Sequence, residues 1–137
     1  MKVEPYLSFN GRCQEALGFY NQGVGAEVLV KMRFSESPEP CPPGSIPPGT
    51  ENKIMHASMQ IGSTVVMATD GGCQDAAGFE GISLALSVSD AAAADRVFNA
   101  LADGGNVEMP LTKTFFSPSF GMLKDKFGVT WMVVVEQ

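Results

Sequence analysis

The sequence predicts an α+β fold made of two copies of a βαβββ unit. Three observations carry this reading. The order strand, helix, three strands occurs twice; each half holds one helix with a single apolar face; and turn residues punctuate the remaining strands. A doubly wound sheet is excluded, because it needs helices between most of its strands. One helix per unit covers one side of its sheet and leaves the other side to line a shared trough or meet a partner.

The elements follow in order. YLSF (Tyr6–Phe9) reads as a short strand, and NGR turns the chain into CQEALGFYNQGVG. There Cys13, Ala16, Leu17 and Tyr20 fall at i, i+3, i+4 and i+7 and form one helical face, with Gly23 or Gly25 ending the helix. AEVLVKMRF (Ala26–Phe34) is rich in β-formers. The segment from Ser35 to Lys53 is crowded with Pro, Gly and Ser, so no regular element is expected in it; it reads as a long mobile loop at the rim of the trough. IMHASMQI (Ile54–Ile61) and TVVMAT (Thr64–Thr69) form a hairpin about Gly62–Ser63. DGGCQDAAGF is a second irregular stretch.

The second half repeats the order. ISLALSVS (Ile82–Ser89) is a strand, Asp90 caps the helix AAAADRVFNALADGG, and Gly104–Gly105 stops it. Ala94, Val97, Phe98 and Leu101 share the apolar face of that helix. NVEMPLTKTFF and FGMLKDK are weaker strands, and VTWMVVVE (Val129–Glu136) is a strong one. The chain of 137 residues reads as a single domain with modules over about 3–70 and 80–136.

Composition excludes several classes. Apolar residues at 45% against 18% charged rule out bulk disorder. A net charge of -6 opposes attraction to nucleic acid or an anionic membrane, and the nine Lys and Arg do not cluster. Cys13, Cys41 and Cys73 show no CxxC spacing, so neither a disulfide framework nor a structural zinc site is expected. No signal peptide is visible in MKVEPYLSF, and the apolar runs are strand-sized, which reads as a soluble, cytoplasmic protein.

The segments YLSFNGRCQEALGFYNQGVGAE, IMHASMQIGSTVVMATD, NALADGGNVEMPLTKTFF and FGMLKDKFGVTWMVVV resemble the glyoxalase/bleomycin-resistance/dioxygenase superfamily, the vicinal-oxygen-chelate proteins, and within it the PhnB-like family. DKFGVTW is the most specific word. The resemblance implies an open, cup-shaped mixed sheet and a homodimer. Some PhnB-like sequences carry a label for ubiquinone-related methyl transfer. No strand here leads into a GxG loop followed by an acidic strand end, so no nucleotide-like cofactor has a visible seat and none is expected.

Metal-using relatives place His, Glu or Gln at four equivalent strand positions. The resemblance puts these at or beside Pro5 and on Met67, Ser83 and Met132. Proline has no side-chain donor, methionine is a soft ligand, and a lone serine binds hard ions weakly. A metal in the inherited position is therefore not expected.

His56 is the only histidine, on a strand face shared with Ile54, Ser58 and Gln60. It is a candidate acid, base or ligand contact; the competing reading is a half-exposed histidine satisfied by a backbone carbonyl. Asp70 reads as an ordinary turn residue, Glu136 as a solvated end and Cys13 as a small core residue; Glu108 can face either side of its strand, and Cys41 lacks the histidine neighbour in sequence that would mark a nucleophile. TKTFFSPSFG mixes hydroxyls, a lysine and three phenylalanines, the composition of a pocket wall. The expected ligand contacts are thus His56, Lys113, Phe115, Phe116, Ser117, Phe120 and Trp131, with Ser119 as a further hydroxyl. Strand parity separates Trp131 from Met132 unless a bulge intervenes.

Three functions compete. The first is a metal-free binding protein for a small, partly apolar molecule. The second is a metal-dependent lyase, isomerase or dioxygenase, against which the missing chelators weigh. The third is a structural or regulatory partner protein.

Overall fold

The computed structural model describes residues 1–36, 49, 51–71 and 78–136. The chain divides into two compact units, Met1–Ala77 and Gly78–Gln137. Each holds one helix and a four-stranded mixed sheet, in the predicted βαβββ order.

In the first unit the elements are β1 (Tyr6–Ser8), α1 (Cys13–Val24), β2 (Glu27–Arg33), β3 (Ile54–Ile61) and β4 (Thr64–Thr69). The sheet order is β1-β4-β3-β2, parallel between β1 and β4 and antiparallel elsewhere. The expected face of α1, Cys13, Ala16, Leu17 and Tyr20, is buried against β2 and β3. Beneath it lie Leu7, Ala57, Met59, Ile61, Val66 and Ala68, the alternate residues of three strands. Gly25 closes α1 at φ 71, and its N–H reaches the Asn21 carbonyl at 3.2 Å; a side chain there would be strained in this left-handed conformation.

The second unit contains β5 (Ser83–Val88), α2 (Ala91–Ala102), β6 (Asn106–Thr112), β7 (Phe120–Lys124) and β8 (Thr130–Val135), with sheet order β5-β8-β7-β6. The Asp90 carboxylate accepts the Ala93 N–H at 2.8 Å, as the N-cap expectation requires. Ala94, Val97, Phe98 and Leu101 are buried, each large side chain contributing about 1.5–3 kcal/mol of hydrophobic stabilisation. Gly121 on β7 lets the helix approach: a Cβ there would stand 2.8 Å from the Phe98 ring.

Two expectations are corrected. The stretch NVEMPLTKTFF is strand only to Thr112; beyond it the Thr114 hydroxyl accepts the Ser117 N–H at 3.0 Å and folds the chain into a turn. A short 3-10 turn, Phe34–Glu36, occupies the start of the Pro-rich segment, where the Glu36 carboxylate accepts the Arg33 N–H at 2.9 Å. That segment's described ends are tied together, with Ser35 N–H donating to the Glu51 carbonyl at 2.9 Å. Residues 37–48 and 50 lie outside the described residues, and the rim-loop expectation and Cys41 fall there; Cys73 falls in 72–77, likewise outside them.

Candidate functional site

Each sheet has one face under its helix and one face turned away from it. Register assigns side chains to these faces, because hydrogen-bonded neighbours on adjacent strands point the same way.

On the helix-free face of the first sheet stand Tyr6, His56, Ser58 and Met67. Met67 is the cross-strand partner of both Tyr6 and Ser58, and Met32 is that of His56. Tyr6 lies on β1 and His56 on β3, so the phenol must extend across β4 to meet the imidazole. Its hydroxyl lies 3.3 Å from His56 Nδ1, with the ring centroids 5.7 Å apart. Tyr6 is 53% exposed and His56 half-buried. Sequence spacing offered His56 no partner, because Tyr6 is fifty positions away and only the pairing of β1 with β4 unites them.

On the helix-free face of the second sheet, register aligns Met109, Met122 and Met132 across β6, β7 and β8, with Ala85 next in the row on β5. Phe120 shares this face through its partner Val134. Phe120 also stacks edge-on with Phe116 at 5.1 Å, which in turn meets Phe115 at 5.2 Å. Phe115 is 94% exposed, and Lys113 is exposed beside it in the chain.

Two expected contacts are corrected. Trp131 points to the helix side, 2% exposed among Leu123 and Val133, and its indole N–H donates to the Asp125 carboxylate at 2.9 Å. The reason is parity: β8 runs without a bulge, so Trp131 and Met132 take opposite faces. Ser117 is fully buried, and its hydroxyl donates to the Val135 carbonyl at 2.7 Å, anchoring the loop to β8. Both are structural. Ser119 uses its backbone there, its N–H reaching the Ser117 hydroxyl at 3.2 Å and its carbonyl accepting the Val135 N–H at 2.9 Å.

Sequence reasoning missed what the buried carboxylates do. Asp70 accepts the Cys13 N–H on one oxygen and the Ile54 N–H on the other, each at 2.7 Å. Asp125 accepts the Phe127 and Val129 N–H groups on one oxygen, at 2.9 and 3.0 Å, and the Trp131 indole on the other. The signal for Asp125 was present in the word DKFGVTW, whose acidic residue and tryptophan lie six apart. Cys13 is fully buried beside Asp70; burial first, then the neighbouring carboxylate, push its thiol up to about 12. A thiol held neutral in this way is a core residue, not a nucleophile.

The metal that the resemblance implies can be tested on donor chemistry. Pro5 and Met67 are neighbours, the Met67 N–H donating to the Pro5 carbonyl at 2.9 Å. On the second sheet Ser83 pairs with Thr130 and Met132 with Ala85. Thioethers, a serine and a carbonyl already in the strand ladder do not suit a hard divalent ion. Among the described residues no three of His, Cys, Asp or Glu gather to form another such site.

The sequence profile of the 3-demethylubiquinone-9 3-methyltransferase family matches residues 1–134. Protein YjdN of Escherichia coli K12 is 38% identical over 145 residues, spanning 100% of this chain and 97% of YjdN. The crystal structure of protein PA1353 from Pseudomonas aeruginosa superposes with a TM-score of 0.87 at 44% identity, covering 100% of this chain and 98% of that one. A PhnB protein from Bacillus cereus follows at 0.80 and 28%, covering 98% and 99%. The chain belongs to the 3-demethylubiquinone-9 3-methyltransferase family, the PhnB-like group of the glyoxalase/bleomycin-resistance superfamily.

Proposed function

We propose that this chain is a metal-free binding protein for a small, partly apolar molecule, taken against the helix-free face of a sheet. The observation that carries the reading is the row Met109–Met122–Met132. Unbranched, polarizable thioethers present an apolar surface that adapts to a ligand's shape, and of this row Met132 falls where the resemblance places a metal ligand, with Met122 beside it. On the first sheet Met67 and Met32 frame the more polar Tyr6, His56 and Ser58 in the same manner. On the first sheet His56 remains a ligand contact in this reading; on the second sheet, taken by itself, Phe120 does, with Phe115, Phe116 and Lys113 in the loop before it.

The family's designation speaks of methyl transfer. Helix N-termini are the usual seats for anionic cofactor groups, and here carboxylates hold both: Asp70 at α1 and Asp90 at α2. This supports binding without such a cofactor. Metal-dependent lyase, isomerase or dioxygenase chemistry is disfavoured by the donor set described above. A homodimer belongs to the same proposal. Val28, Leu29 and Val30 are 40–49% exposed on the edge strand β2, a concentration of apolar surface that a second copy would cover.

Metal analysis of protein purified without chelator tests the first point. Far less than one equivalent of zinc, nickel, manganese or iron is expected; near-stoichiometric metal that is lost in Met67→Ala or His56→Ala would overturn it. Sedimentation at micromolar concentration tests the second, with a species of roughly twice the 14.5 kDa chain mass expected and a clean monomer as the contrary result.

A further inference from the structure

The geometry points to His56 Nε2, its tautomer set by the Tyr6 hydroxyl at Nδ1, as the group that meets one neutral oxygen of the ligand, a hydroxyl or carbonyl on a flat apolar body. This rests on the binding reading above and names the chemistry of the ligand's polar end.

Hydrogen-bond capacity decides that chemistry. A phenol has one donor and acceptor capacity; a neutral imidazole has one N–H and one bare nitrogen. Their 3.3 Å contact uses Nδ1 and the phenol oxygen. If Nδ1 accepts the phenol proton, Nε2–H remains a donor and the phenol oxygen retains acceptor capacity. If Nδ1–H donates instead, the phenol O–H is released as the donor and Nε2 becomes the acceptor. Either tautomer leaves the pair with one donor and one acceptor, at exchanged positions. The two ring nitrogens point apart, so one ligand oxygen meets Nε2: as N–H it donates to a carbonyl or hydroxyl, and as the bare nitrogen of the other tautomer it accepts from a hydroxyl.

The surroundings select the rest of the ligand. Met32 and Met67 are the register neighbours of the pair, and Ser58, across from Met67, is uncharged. Tyr6 is more than half exposed, so its ring and hydroxyl remain reachable within this chain. An apolar ring can rest on the thioethers and the Tyr6 ring while its oxygen meets Nε2.

The test uses p-cresol, a phenol that stays neutral at the pH of the measurement, as the probe and imidazole ¹⁵N NMR as the readout. The chain has one histidine, so its ring signals need no residue assignment, and Nδ1 and Nε2 are told apart by their different couplings to the ring protons. Saturable movement of the His56 Nε2 signal by millimolar p-cresol is expected. Tyr6→Phe and His56→Gln should each weaken binding about fivefold, the size of one net hydrogen bond. The double variant should lose less, relative to the unaltered chain, than the product of the two single losses, as coupled partners require. Thermal unfolding of both single variants checks that the sheet is intact, and both sites are exposed enough to tolerate the change.

Unchanged affinity in Tyr6→Phe would overturn the pairing. So would movement of methionine methyl signals by the probe with His56 unaffected, which would leave the broader binding reading standing. If p-cresol moves neither His56 nor any methionine of the helix-free faces, both readings fall.

Discussion

The two units share one strand order but secure their helices differently. In the first, α1 begins at Cys13 after Arg12, whose side chain makes no cap bond; a carboxylate 57 residues away, Asp70, takes the Cys13 N–H and also holds Ile54 at the start of β3. In the second, α2 is capped by its own Asp90, and the buried carboxylate, Asp125, fixes the β7–β8 turn and the Trp131 indole. One unit ties helix to sheet through an ion; the other ties turn to strand and lets packing of Phe98 over Gly121 seat the helix. The difference shows that a duplicated fold can place the same chemical device at different joints, and each joint has its own cost of removal.

The largest effect is expected at Asp125. Asp125→Ala takes this acceptor from three N–H donors, the Phe127 and Val129 amides and the Trp131 indole, and should cost about 4 kcal/mol. Urea denaturation measures it, and the single Trp131 reports locally through a red-shifted emission as water reaches the ring. A loss below about 1 kcal/mol would show that the turn holds without its carboxylate and would erase the contrast between the units.

Asp70→Ala comes next, at about 3 kcal/mol, because two donors rather than three lose their charged partner. The distinguishing readout is hydrogen exchange. Amides of the first turn of α1 and of Ile54 should lose protection while those of α2 keep it. Equal loss in both helices would mean that Asp70 acts on global stability alone and ties nothing in particular.

How much of this was legible depends on range. The two βαβββ units, both helical faces, the Gly62–Ser63 hairpin and the Asp90 cap follow from neighbours within a few positions, and sequence period reports these directly. The Tyr6–His56 contact and the Asp70 clamp join residues separated by 50 and 57 positions, so strand order had to be known first. Trp131 is the instructive case. Its parity with Met132 was readable, and so was the conflict in making one an inward ligand position and the other a pocket wall. Composition favoured a tryptophan in a pocket; an unbulged strand put it under α2. Ser117 misled for another reason, since a loop serine has the same composition whether its hydroxyl meets a ligand or, as here, the Val135 carbonyl.

The smallest predicted effect concerns the cap that was legible. Asp90→Ala removes the acceptor of the Ala93 N–H at an exposed helix start, where water can replace the carboxylate. The loss should be about 1 kcal/mol, with Asp90→Asn nearly neutral because an amide oxygen caps as well. Adding salt should shrink the small gap between the unaltered chain and Asp90→Asn, since the carboxylate's extra interaction with the helix dipole is screened at the surface. The corresponding substitution at Asp70, buried at 5% exposure, should be far less sensitive to salt. Parallel urea titrations of the alanine and asparagine substitutions at both positions, at low and high salt, make the comparison. If Asp90→Ala proves as damaging as Asp70→Ala, the local cap carries tertiary weight, and the division between a long-range clamp in one unit and a local cap in the other does not hold.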